Sequence, residues 1–120
     1  MNKETISKSL ELSNFEFFRM HLNIVLCFLP KLHLSKGEIS VLAAFMSMKE
    51  EFENKLFVGE PRSNVRKMLN LTNPNVSNYI KTLEEKGCIV TQKRIKIIHP
   101  TLFPKANDQF YMFKLANNGE

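Results

Sequence analysis

The stretch over residues 61–89 constrains the fold most, because two short helical patterns meet there at a tight turn and end at a glycine. In the first pattern, Val65, Met68 and Leu69 recur at helical spacing and predict one inward face. Asn70 follows, and asparagine tolerates the left-handed backbone conformation in which many helices end. The sequence therefore predicts a first helix that stops at Asn70.

A second helix is predicted over residues 72–87. Thr72 is a favourable N-cap residue, and Pro74 lies in the first turn, where its missing N–H costs no hydrogen bond. Gly87 provides the C-terminal stop. The residues at i, i+4 and i+7 are apolar and predict the buried stripe of this helix: Val76, Ile80 and Leu83.

The remaining face of this second helix carries short polar side chains and one cation. Its members are Asn73, Asn75, Ser77, Asn78, Lys81 and Thr82. Such groups suit base edges and phosphates better than an ordinary solvated helix face, which would carry more Glu and Lys. The acidic residues Glu84 and Glu85 appear only at the far end. A solvated face of a helical hairpin is the alternative interpretation.

Two β-prone runs follow the helix and flank the dipeptide Lys93-Arg94. They predict a short hairpin over residues 88–100 with cations at its tip. The apolar residues 56–58 predict one further short strand, paired with the hairpin. Helix, turn, helix and basic hairpin occur in the order of a winged helix-turn-helix, so the predicted fold class is mainly α with a small antiparallel sheet, an α+β class.

The segment Leu71-Thr72-Asn73-Pro74-Asn75-Val76-Ser77-Asn78-Tyr79-Ile80-Lys81-Thr82-Leu83-Glu84-Glu85-Lys86-Gly87-Cys88-Ile89 resembles the recognition-helix segment of MarR-type winged-helix regulators. The segment over residues 34–42 is similar to the core helix that precedes it in that family. The similarity covers about residues 34–100. The chain is also similar to compact winged helices of phage and plasmid regulators and replication proteins. The resemblance implies DNA binding through the second helix and the hairpin, which is the wing of that fold.

Capping boxes predict the helices of the N-terminal half. Ser13 and Glu16 mark the start of a helix that runs to about Leu29, and Ser35 and Glu38 mark the next one. Residues 1–12 are expected to be flexible. The inward side of the second of these helices is predicted to carry Ile39, Leu42, Phe45 and Met46.

The predicted helix over residues 13–29 is apolar on two faces, and both must be covered. One face is expected to pack on the core, and the other predicts a homodimer contact. The alternative cover is the C-terminal extension over residues 101–120, where residues 110–115 are a strand candidate.

Length and charge fit one domain with an anionic partner. The 120 residues predict a single domain over residues 1–120. Residues 1–60 hold 7 Lys and Arg against 8 Asp and Glu, a net charge of −1, while residues 61–120 hold 10 against 4, a net charge of +6. The excess positive charge therefore lies entirely in the half with the predicted helix-turn-helix and wing, which favours a polyanionic partner.

Other classes of function lack a motif. The cysteines Cys27 and Cys88 are isolated, and the three histidines lie far apart, so no metal site is predicted. His21 is expected to be structural. No phosphate loop or nucleophile motif is present, so neither an enzyme nor a cofactor is predicted. The apolar run after residue 16 is too short and too interrupted for a membrane span, and a cytoplasmic protein is expected, in the host cytoplasm if it is viral.

The sequence thus predicts specific binding to double-stranded DNA, as in a transcriptional regulator, with the helix over 72–87 in the major groove. Base contacts are predicted for Asn73, Asn75 and Asn78, because a carboxamide pairs with adenine N6 and N7 together. Ser77 and Thr82 could serve bases or phosphates, and Tyr79 could equally pack or touch DNA. Phosphate contacts are predicted for Arg62, Arg66, Lys67, Lys81, Lys93, Arg94 and Lys96. The alternatives are a winged-helix protein-interaction module or a replication-associated factor in a phage or plasmid assembly.

Overall fold

The computed structural model describes residues 13–104, which are mainly helical with a two-stranded antiparallel sheet. The predicted α+β class is confirmed. The elements are α1 (Asn14–Leu26), α2 (Lys36–Met46), α3 (Lys49–Phe52), a 3-10 helix (Glu53–Lys55), α4 (Glu60–Leu69), α5 (Asn73–Glu85), β1 (Ile89–Gln92), β2 (Ile95–Ile98) and a last 3-10 helix (Pro100–Leu102). The predictions for residues 1–12 and 110–115 lie outside the described residues.

Both predicted capping residues of the N-terminal half begin their helices. The Ser13 hydroxyl accepts the Glu16 N–H at 3.1 Å. At the start of α2, the Glu38 N–H donates to the Ser35 hydroxyl at 3.1 Å and the Ser35 N–H donates to the Glu38 carboxylate at 2.8 Å. This reciprocal pair satisfies two backbone donors that the helix itself leaves open.

Helix α2 lies at the centre of the core. It packs against α1, α4 and α5, and every residue from 41 to 46 is buried. A helix that is apolar on all sides must be covered on all sides, which explains its central position. The predicted inward residues of this helix are all buried: Ile39, Leu42, Phe45 and Met46.

The first helix is only partly covered by the described residues. Leu22 is fully buried, and Phe18 and Val25 pack against the core, so one face of this helix packs on the core, as expected. Met20 is 41% exposed. The helix ends at Leu26 rather than at about Leu29 as predicted, and Leu29 lies beyond its end with 38% of its surface exposed. The homodimer contact on this helix stays a prediction.

A three-residue turn joins α4 to α5. Asn70 has φ 55°, in the left-handed region, and the Leu71 N–H donates to the Arg66 carbonyl at 2.9 Å. The Thr72 hydroxyl accepts the Asn75 N–H at 3.2 Å and caps α5. The predicted helix end at Asn70 and the predicted helix start at Thr72 are both confirmed.

The predicted inward face of α4 is wrong at one position. Val65 is fully buried and Leu69 packs against the core, but Met68 is 47% exposed. The buried line of α4 follows the i, i+4 and i+8 positions that begin at the buried Pro61, so Met68 falls off that line at the end of the helix.

The C-terminus of α5 feeds directly into the hairpin. Gly87 has φ 84°, the Cys88 N–H donates to the Leu83 carbonyl at 2.9 Å, and the Gly87 N–H donates to the Glu84 carbonyl at 3.0 Å. These two bonds form a Schellman motif. Its left-handed position is occupied by Gly87, and glycine adopts that conformation without a Cβ penalty. The predicted stop at Gly87 is confirmed.

The hairpin has a two-residue turn. Strands β1 and β2 pair antiparallel, with Gln92 opposite Ile95 as the last pair before the turn. The turn residues Lys93 and Arg94 both have positive φ, 50° and 66°. Positive φ at both central positions matches a type I′ turn, in which Asn-Gly is the favoured pair and lysine and arginine are strained.

The strand predicted over residues 56–58 is wrong. These residues form a turn after the 3-10 helix that packs against β2. Leu56 is 2% exposed and Phe57 is 6% exposed, and the Phe57 ring lies 4.8 Å from the Phe45 ring, centroid to centroid. The apolar residues of this run therefore fill the core from a turn, and packing rather than strand pairing sets their backbone conformation.

His21 ties α1 to the segment that follows the hairpin. The side chain is 3% exposed, and its Nε2 lies 2.9 Å from the Leu102 carbonyl, to which it donates. Burial lowers the pKa of His21 below the ordinary value of 6.5, and the hydrogen bond to the carbonyl opposes that shift only in part. The histidine is therefore a buried structural group that joins α1 to the segment after the hairpin.

Stability is expected to fall on acidification because of His21. The unfolded chain takes up the histidine proton near pH 6.5, whereas the folded chain takes it up only at lower pH. This contribution is therefore fully present above pH 6.5 and is lost as the pH falls toward the folded-state pKa. Urea unfolding across this window should show the loss for the native sequence. His21→Gln should flatten the pH dependence, while His33→Gln, at an exposed site, should retain it. An undiminished slope in His21→Gln would contradict the assignment.

Candidate nucleic-acid interface

The side of α5 that faces away from the core is exposed along its whole length. Val76, Ile80 and Leu83 are buried, as predicted. The residues at the opposite positions of the helix recur at i, i+4, i+7 and i+11, and all are exposed: Pro74, Asn78, Lys81 and Glu85. We call these four residues the outer ridge. The ridge carries an amide and a cation in its middle and a carboxylate only at its C-terminal end.

One flank of α5 is bridged to α4 by Arg62. Its Nη2 donates to the Ser77 hydroxyl at 2.8 Å and lies 3.3 Å from the Asn73 side-chain oxygen and 3.4 Å from the Asn73 carbonyl oxygen. Three of the predicted site residues therefore meet at one corner of the molecule. We call these three residues the Arg62 corner.

The hairpin lies along the same flank, toward the other end of α5. The Lys96 ammonium lies 3.1 Å from the Glu84 carboxylate. Ser77 and Glu84 are two helical turns apart and so share one side of α5, separated by about 10 Å along the axis. The predicted phosphate contact of Lys96 stays a prediction, and Glu84 offsets part of its charge.

The opposite flank of α5 faces α2 across a shallow groove. The groove is lined by Glu38, Asn75, Asn78, Tyr79 and Thr82. The Thr82 hydroxyl donates to the Asn78 backbone carbonyl at 3.0 Å, so its proton is used within the helix. The carboxamides of Asn75 and Asn78 have no hydrogen-bond partner within residues 13–104, which leaves both their donors and their acceptors for a ligand.

Tyr79 is a packing residue. It is half-buried against the core, and its ring end lies over Gly37 at the start of α2. A Cβ at position 37 would collide with the Tyr79 hydroxyl. The absent side chain at Gly37 therefore allows α2 and α5 to approach closely, and the choice between packing and DNA contact for Tyr79 favours packing.

A second bridge fixes α5 against α2, through residues that the sequence did not single out for the site. The Lys86 ammonium lies 2.8 Å from the Glu38 carboxylate and 2.7 Å from the His33 carbonyl. Burial alone would raise the pKa of Glu38, but hydrogen bonds from Lys86 and Ser35 outweigh burial and lower the pKa. Because Lys86 and Glu38 are 48 residues apart, no local pattern indicates their contact.

The other predicted cations differ in accessibility. Lys67, Lys81, Lys93 and Arg94 are exposed and make no ion pair within residues 13–104. Arg66 is partly buried, and its Nε has no hydrogen-bond partner among those residues. These four uncompensated cations lie on α4, α5 and the hairpin, and their charge suits an anionic ligand. No His, Cys, Asp and Glu cluster in the described part of the chain could hold a metal ion.

Comparison of the chain with protein-family models, with curated proteins and with solved structures found no significant match. The resemblance to MarR-type regulators therefore stays a prediction from the quoted residues. Within residues 13–104, no helix is long and apolar enough to cross a membrane.

Proposed function

We propose that this protein binds double-stranded DNA in a sequence-specific manner, as a winged helix-turn-helix regulator. Helices α4 and α5 form the helix-turn-helix, and strands β1 and β2 with the Lys93-Arg94 turn form the wing. The proposal rests on the outer ridge of α5, which is exposed and polar. The other sides of this helix pack against α2, α4 and the hairpin.

The dimensions of α5 suit the major groove. An α-helix with side chains is about 10–12 Å across, and the groove is about 12 Å wide. The first turns of α5 would then meet base edges, because Asn73, Asn75 and Asn78 lie there and the carboxylates lie at the other end. The cations of α4 and the wing would meet phosphates on either side.

A regulator of this kind reads two half-sites when it is a dimer. The exposed Met20 and Leu29 on the α1 side of the molecule support a homodimer contact there. Light scattering in solution tests this contact. The native chain should have the mass of two chains, and Met20→Lys should have the mass of one.

Fluorescence anisotropy of a labelled duplex across a salt series tests DNA binding directly. Log affinity should fall steeply with log salt, and Lys81→Ala should make that slope shallower by about 1, because one phosphate contact is lost. Arg19→Ala is the matched control, since Arg19 is an exposed cation on α1, which packs on α2, and it should leave the slope unchanged.

The absence of binding at low salt would contradict the proposal. It would favour the alternative in which the same surface docks a protein partner. Equal slopes for the native chain, Lys81→Ala and Arg19→Ala, with binding retained, would show that Lys81 on the outer ridge does not contact the DNA.

A further inference from the structure

The Arg62 corner has a fixed hydrogen-bond polarity. A guanidinium can only donate, so the Asn73 side-chain atom that lies 3.3 Å from Arg62 Nη2 must be the amide oxygen. The Asn73 amide nitrogen is then the group left for a ligand. This orientation follows from the chemistry of Arg62 itself and needs no hydrogen to be observed.

Ser77 is polarised in the same direction. Its oxygen accepts from Arg62 at 2.8 Å, which leaves the hydroxyl proton to donate. All three contacts of Arg62 use Nη2, and its Nη1 and Nε have no partner within residues 13–104. The corner therefore offers donors and a positive charge to whatever approaches it.

Major-groove base edges differ in how they would meet such a donor cluster. Guanine presents two adjacent acceptors, N7 and O6. Adenine and cytosine present amino groups, which would face donors and a cation, and thymine presents one acceptor beside a methyl group. We propose that the Arg62 corner selects guanine in the DNA site of this protein, an inference that rests on the proposed function.

Two residues of the corner then have roles different from those predicted from the sequence. Asn73 was predicted to pair with adenine through both amide atoms, but its oxygen is held by Arg62. Arg62 was predicted to contact phosphate, but it is bound to the first two turns of α5, the part of a recognition helix that enters the groove. Adenine contacts are left to Asn75 and Asn78, whose carboxamides are open at both atoms.

The test is a base-substitution series on the duplex that the native chain selects from a random library. The native chain should prefer G·C at one position by about 5- to 150-fold, the range for a good bidentate contact. Arg62→Met keeps much of the apolar stem but removes the donors, and it should abolish that preference alone. Lys67→Met, an exposed cation on the same helix, should weaken all duplexes equally.

A second measurement keeps the protein native. Replacing that guanine by 7-deazaguanine removes the N7 acceptor, and the affinity of the native chain should fall about 10-fold, while Arg62→Met should not distinguish the two duplexes. Uniform weakening of all duplexes by Arg62→Met would assign Arg62 to phosphate and overturn the guanine inference, with DNA binding intact. An A·T preference at the Arg62-sensitive position would overturn it too. No binding to any duplex would overturn the proposed function itself.

Discussion

Replacing Lys93 by Asn and Arg94 by Gly is expected to weaken DNA binding while it stabilises the fold. The slope of log affinity against log salt should become shallower by about 2, because two phosphate contacts are lost. The free energy of unfolding should rise by about 1–2 kcal/mol. Lys93 and Arg94 hold left-handed backbone angles in the native turn, φ 50° and 66°, which Asn and Gly adopt at lower cost. Anisotropy and urea unfolding on the same preparation measure both effects.

DNA affinity should fall while stability rises, and these opposite changes are informative. A turn selected only for stability would carry Asn-Gly or a similar pair, whereas this turn holds two long cations in a conformation that costs energy. Under the proposed function, phosphate binding by Lys93 and Arg94 would offset this strain.

Two comparisons separate charge from backbone strain. Lys93→Ala with Arg94→Ala removes the charges but keeps a strained turn, so it should lose the same affinity without the gain in stability. Arg19→Ala removes an exposed cation from α1, a helix that packs on α2, and should leave affinity unchanged. Full affinity in the Asn-Gly variant would show that the wing turn does not contact the duplex.

The parts of the fold that could be predicted from the sequence depend on short-range chemistry. Ser13, Ser35 and Thr72 cap helices through the N–H three residues on, and Asn70 and Gly87 end helices in the left-handed region. Each signal needs only a few neighbouring residues, so each can be found in the sequence alone. The apolar stripe of α5 belongs to the same class, because helical periodicity is local.

The parts that could not be predicted depend on contacts between distant residues. Arg62 meets Ser77 across 15 positions and Lys86 meets Glu38 across 48, and no spacing rule connects such pairs. Most of the candidate site residues are exposed, whereas Arg62, Arg66 and Thr82 are half-buried. The sequence did not indicate that Arg62 would hold the side chains of Asn73 and Ser77. The polarity of the Arg62 corner therefore came only from the packing of α4 on α5.

The turn that carries Phe57 could not be predicted for the same reason. Three apolar residues in a row fit a strand and a buried turn equally well. Phe57 is buried beside Phe45 because α2 needs a partner on that side, and the local sequence does not encode where that partner comes from. The strand prediction therefore failed where tertiary packing determined the backbone.

Phe45→Ala is expected to destabilise the fold by about 3–5 kcal/mol, the usual loss for a fully buried phenylalanine. Phe45 is the largest of the fully buried side chains and lies on the central helix, so its truncation leaves a cavity in the core. Because the free energy of unfolding of a small domain is about 5–15 kcal/mol, the urea midpoint should fall by about a fifth or more. Val58→Ala, 58% exposed and next to Phe57, is the matched control and should change stability by no more than about 0.5 kcal/mol.

The contact between Phe45 and Phe57 can be tested with a double variant. The two rings lie 4.8 Å apart between centroids, so each truncation already removes part of what the other would lose. The double variant should therefore cost less than the sum of Phe45→Ala and Phe57→Ala, with a coupling energy of about 0.5–3 kcal/mol. Strict additivity in urea unfolding would mean that Phe57 does not pack on Phe45. The segment over residues 56–58 would then have to lie elsewhere, which would reopen its assignment as a strand.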